Sequence, residues 1–197
     1  MKHYIYDLLI DQGFSANTSK YMNMLALLVA LLVVAFIIDF ITKRLLRRFS
    51  AGIAKRTKTN FDDILIANKL PRNVAHIIPL IILIEFVPQV FSDFPVFENA
   101  IEKTLKVIAI LLTLRVLQSI LHSIHDYLKT KTRYKDKPIH SYIQVFMIFV
   151  WLLAIFSMFA IVTGISFWEF VTSIGAVSAI IILVFRDSIL GFVASIQ

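Results

Sequence analysis

The sequence predicts an all-α integral membrane protein with five transmembrane helices, its N-terminus out and its C-terminus in. Three observations predict it. The 197 residues are 58% hydrophobic and include 17 phenylalanines, and the mean hydropathy is +0.80, far outside the range of soluble domains. The apolar residues gather into segments of roughly 20, the length a bilayer crossing needs. Lysine and arginine concentrate in two loops between such segments, 43–58 and 129–140, which orients the chain by the positive-inside rule. The net charge of +7 is therefore a topology signal, and no nucleic-acid partner is expected. The absence of cysteine excludes a disulfide framework and thiolate metal sites.

Residues 1–20 place Tyr4, Ile5, Leu8, Leu9 and Ile10 on one face of a short helix, expected on the outer membrane surface. No basic stretch leads into an apolar core and a small-residue cleavage site, so a removable signal peptide is not expected. The first span covers about Tyr21 to Ile41, with Asp39 and Lys43 one turn apart as a local interfacial pair. Lys43, Arg44, Arg47, Arg48, Lys55, Arg56 and Lys58 then interleave with Leu45, Leu46, Phe49 and Ile53. That pattern predicts a basic amphipathic continuation resting on anionic headgroups.

The stretch TNFDDILIANKL, 59–70, reads as one short amphipathic helix, with Asn60 as N-cap and Asp62 and Asp63 favouring its dipole. A metal at the acidic pair is not expected, since no further ligand converges in sequence. The second span, about Val74 to Phe91, contains Pro79 and Pro88 and is expected to be kinked. Glu85 lies between the prolines; it is either functional at depth or hydrated near the outer interface. The loop Ser92 to Asn99 is aromatic and acidic and faces out.

The third span, about Ile101 to Leu121, carries Lys106 near its outer end and Arg115 well inside, where Glu85 or Asp187 would pair with it. His122, His125 and Asp126 follow; a wet inner interface explains them better than a metal, because no third ligand of that kind lies nearby. The fourth span, about Tyr142 to Val162, has no charge, and Trp151 near its middle is a packing or lipid-facing residue. A turn at Thr163 and Gly164 leads to Ser166 and Glu169, a capping box for the last helix.

That last segment, 166–197, is unusual. Thr172, Ser173, Gly175, Ala176, Ser178 and Ala179 are small and closely spaced, which lets helices approach in hydrocarbon. Arg186 and Asp187 then interrupt the apolar run, and Gly191 breaks its second half. Charges at such a place tend to face protein or water, so the segment reads as a packing or pore-lining helix bent near 186–187. No zincin helix, nucleophile elbow or phosphate loop is present, so enzymatic activity, a metal and a cofactor are not expected.

The run LVFRDSILGFVASIQ (183–197), the glycine and alanine pattern before it and TNFDDIL (59–65) resemble the bacterial small-conductance mechanosensitive channel family, in its five-span form. The resemblance is strong over 163–197 and moderate over 55–70, and elsewhere rests on span count and orientation. It implies a homo-heptamer in the bacterial inner membrane, opening under tension to release ions and small osmolytes in hypoosmotic shock. Self-association and membrane lipids would be its partners, with the spans of 21–165 as peripheral tension sensors. It assigns Gly175, Ala176 and Ser178 to close helix packing, Ala179 and Leu183 to the apolar constriction, and Arg186, Asp187 and Gly191 to the bend. The chain departs from the pattern at Asp187, where the family often has glycine, and at Ala179, which matches a leucine. The cytoplasmic β-domain and vestibule that the resemblance implies would lie beyond Gln197. Two further classes are open: a membrane scaffold or signalling subunit that oligomerises through the last helix, and a small-solute transporter with Glu85, Arg115 and Asp187 lining a common cavity.

Overall fold

The computed structural model describes residues 4–54, 61–131, 134 and 137–196. Eight helices account for the regular structure there, and five stretches are long and apolar enough to cross a membrane. Lys55, Arg56, Lys58 and Asn60, including the expected N-cap, lie outside the described residues. The chain divides into two compact units, Met1–Trp151 and Leu152–Gln197.

The first unit opens with α1, Tyr4–Asp11, whose Leu9 is buried. Helix α2 follows as one rod of 39 residues, Ala16–Ala54. It starts earlier than the expected span because Ser15 caps it: the Thr18 amide donates to Ser15 Oγ at 3.3 Å. No proline or glycine interrupts it before Gly52, so the apolar span and the basic stretch up to Arg48 form a single helix.

The expected helix over 59–70 is shorter in the structure. Helix α3 covers only Phe61–Ala67, with Asp62 and Asp63 in its first turn. Lys69 then adopts a left-handed φ of 60° and starts α4, Leu70–Ala75, which has proline in its first turn. The kink expected in the second span is a break. The chain restarts at His76 as α5, Ile77–Val90. Pro79 explains the position, since it has no N–H for the Ala75 carbonyl and its ring crowds that same carbonyl four residues back. Pro88 lies inside α5, near its end.

Helix α6 runs from Pro95 to Lys129, 35 residues, so the expected outer loop of 92–99 shrinks to a tight turn. Proline at the first helical turn loses nothing there, because that N–H has no intrahelical partner. The core of this unit gathers Leu31 of α2, Val87 and Val90 of α5 with its C-cap Phe91, and Leu105 of α6. Helices α2 and α6 both pack along α5. Lipid is as apolar as leucine, so these contacts hold through van der Waals fit and hydrogen bonds more than through expulsion of water. Wide exposure of leucine, isoleucine and phenylalanine elsewhere is what a lipid-bathed surface requires.

Helix α7, Ile139–Thr163, passes from the first unit into the second, and Trp151 on it is exposed. The second unit holds the end of α7 and the whole of α8, Phe167–Ile196.

Candidate functional site

Two places gather the residues that sequence reasoning singled out. The first is α8. Its entry is fixed by Gly164, whose φ of +78° is a left-handed turn that L side chains adopt at a cost. The capping box then closes in both directions: the Glu169 amide donates to Ser166 Oγ and the Ser166 amide to Glu169 Oε2, each at 3.2 Å. Phe170 stacks on Phe159 and meets Phe156 edge-on, with centroids 4.7 and 5.4 Å apart. These contacts clasp the start of α8 to the end of α7.

Beyond that clasp α8 is bare. Within its own unit no residue of its most apolar stretch is buried. Thr172, Gly175, Ala176, Ala179 and Leu183 recur at intervals of three and four and share a helix face. A side chain grown at Gly175 would meet nothing, and Leu183 is 69% exposed. Three hydroxyls in the first half of this helix are satisfied by its own backbone: Thr172 donates to the Trp168 carbonyl, Ser173 to Glu169 and Ser178 to Ile174, all at 2.8 Å. The face is thus apolar despite its composition. Arg186 and Asp187 are exposed and stand on one uninterrupted helix that continues through Gly191.

The second place is a cavity of about 640 Å³ in the first unit, walled by α2, α5 and α6. Its lining is apolar except for Asp39, His76 and Arg115. The expected Asp39–Lys43 pair forms, with Nζ 2.5 Å from Oδ2. His76, at the break between α4 and α5, brings Nδ1 to 3.0 Å from Asp39 Oδ1. The alignment is not that of a hydrogen bond, and the buried Oδ1 makes none. Below the cavity Asn73 of α4 donates to Ser119 Oγ of α6 at 2.6 Å.

The structure corrects the Glu85–Arg115 pairing. Glu85 is exposed on α5 and does not line the cavity that holds Arg115. Among the described residues Arg115 has no carboxylate within ion-pair distance. Asp187, the other partner expected for Arg115, stands in the second unit. Lys106 pairs instead with Glu102, one turn before it on α6, a local partner that the sequence displayed at i, i+4 spacing.

His125 and Asp126 are adjacent in space, Nδ1 to Oδ1 3.3 Å, and Asp126 also accepts from Asn68 Nδ2 at 2.9 Å. The His125 ring lies tilted against that of His140 of α7, centroids 5.4 Å apart. Among the described residues no group of three or more histidines and carboxylates is placed to hold a metal. Sequence reasoning missed His76 and Asn73. Only the i−4 rule for Pro79 pointed toward His76.

No protein-family model, curated protein or solved structure matches the chain.

Proposed function

We propose that this five-span membrane protein is the pore-forming subunit of a mechanosensitive ion channel of a bacterial inner membrane, assembled around α8. The observation that carries the reading is the contrast within the chain. Helices α2 and α6 pack on α5, while α8, the span richest in small residues, meets within its own unit only the end of α7 at Phe170. A small-residue face in hydrocarbon gains nothing from lipid that leucine would not gain better; its advantage is close approach to another helix. Copies of α8 around a shared axis supply that helix, and the resemblance of 163–197 to the small-conductance mechanosensitive channels sets the number at seven.

In that assembly Gly175, Ala176 and Ser178 let neighbouring α8 helices pack. Leu183, with Ala179 one turn before it, forms a ring that excludes water and therefore ions. Tension shifts the equilibrium only through the difference in membrane area between closed and open states. Outward tilt of the peripheral spans draws α8 from the axis, widens the ring and lets it wet. Arg186, Asp187 and Gly191, which lie on unbroken helix in the single chain, are where the helix would bend in the assembly as it leaves the inner face.

Patch recordings of the complete protein in liposomes test this. A Leu183→Ser ring wets more readily, so the tension threshold falls or the channel leaks. An unchanged threshold would remove Leu183 from the constriction. Stable oligomers that never conduct under tension would favour the scaffold reading.

A further inference from the structure

The cavity between α2, α5 and α6 contains a guanidinium with no carboxylate within ion-pair distance and a buried carboxylate oxygen, Asp39 Oδ1, that makes no hydrogen bond although His76 Nδ1 lies 3.0 Å away. Arg115 of α6 has no carboxylate within ion-pair distance among the described residues. Asp39 of α2 has one oxygen held by Lys43 and the other, Oδ1, buried with no hydrogen bond. Both side chains line the same space. A charge in a transmembrane segment is costly unless paired or hydrated, and so is a buried acceptor left without a donor. What keeps them apart is the arrangement of the helices. Helices α2 and α6 each pack along α5 and make little contact with one another.

We propose that the first unit has a second, more compact state in which α2 and α6 approach across this cavity and Arg115 donates to Asp39 Oδ1. Lys43 need not leave, because an ionised carboxylate offers about four lone-pair sites on two oxygens. The guanidinium is a planar fork with five donors, so it can bond Oδ1 while its remaining N–H groups face the cavity mouth. His76 sits beside Oδ1 at 3.0 Å and moves aside as the guanidinium arrives, which links the cavity to the break at the start of α5. The hydrogen bond from Asn73 to Ser119 ties α4 to α6, so closure pivots there. The cavity is then the open half of a two-state element, and the Asp39–Arg115 pair is its latch. The proposal concerns the first unit alone and does not depend on whether the chain conducts.

Phe36 and Leu112 line the same cavity, each three residues before Asp39 and Arg115 respectively. The chain has no cysteine, so Phe36→Cys with Leu112→Cys gives one defined thiol pair. The full chain is reconstituted in phosphatidylcholine vesicles and the rate of disulfide formation is followed with an added oxidant. With Asp39 and Arg115 intact the disulfide forms. Asp39→Asn or Arg115→Gln slows it by at least about fivefold, the low end of a two-state coupling. The two together slow it no further than either alone, and Arg115→Lys, which keeps the charge, recovers most of the rate. Failure of the intact pair to cross-link, equal rates in all variants, or additive losses would overturn the latch. In vesicles containing phosphatidylglycerol, a silent Asp39→Asn alongside an active Arg115→Gln would also overturn it, since Arg115 would then be answering a lipid phosphate.

Discussion

Asn73 and Ser119 are joined across two helices by a 2.6 Å hydrogen bond, and the Ser119 hydroxyl in turn donates a hydrogen bond to the Arg115 carbonyl at 2.9 Å. The short helix α4, which packs on both α2 and α6, is also tied to α6 by this chain. Interhelical hydrogen bonds in membranes are worth about 0.5–1.5 kcal/mol each. Asn73→Ala is expected to lower stability by that amount. Because the bonded groups are in contact, the loss in Asn73→Ala/Ser119→Ala should be smaller than the sum of the singles. Reversible unfolding in mixed micelles measures it.

The reciprocal cap of α8 depends on Ser166 and Glu169 together. Ser166→Ala removes the acceptor for the Glu169 amide and is expected to cost about 1 kcal/mol. Faster hydrogen exchange confined to the amides at 167–170 would report it, and exchange further along α8 should be unchanged.

Gly164 stands at φ +78°, and a Cβ added there would meet nothing within 4 Å. Gly164→Ala meets no steric obstacle from neighbours but must hold a left-handed backbone, which costs roughly 1–2 kcal/mol for an L side chain. A drop of that size in unfolding free energy is expected. Since the space is open, Gly164→Asn should cost less than Gly164→Ala, because asparagine tolerates this conformation better.

Gly175 lies on the bare face of α8, where a side chain meets nothing within the chain. Gly175→Leu is therefore expected to leave the isolated chain as stable as before and to weaken assembly, because leucine holds neighbouring backbones apart. Sedimentation in detergent separates the two effects. Equal loss of monomer stability would mean that Gly175 packs inside its own subunit.

Much of this architecture is written locally in the chain. The Asp39–Lys43 pair and the Ser166–Glu169 cap were legible because residues three or four apart meet as soon as a helix forms. The five apolar stretches were legible because hydrocarbon thickness sets their length. The Glu85–Arg115 pairing failed for a corresponding reason: a bond between helices depends on their rotation and depth, and both residues stand exposed on different faces. The meeting of Asp39 with His76 and of Asn73 with Ser119 was hidden for the same cause. The α4–α5 break could have been placed at His76, since proline acts on the carbonyl four residues before it.

Imaging the complete protein in lipid nanodiscs by electron microscopy tests the central claim directly. The account predicts particles of sevenfold symmetry in which copies of α8 surround an axial opening, with Gly175 at the helix contacts and Leu183 facing the axis. Single chains, or rings in which α8 lies at the periphery against lipid, would contradict it.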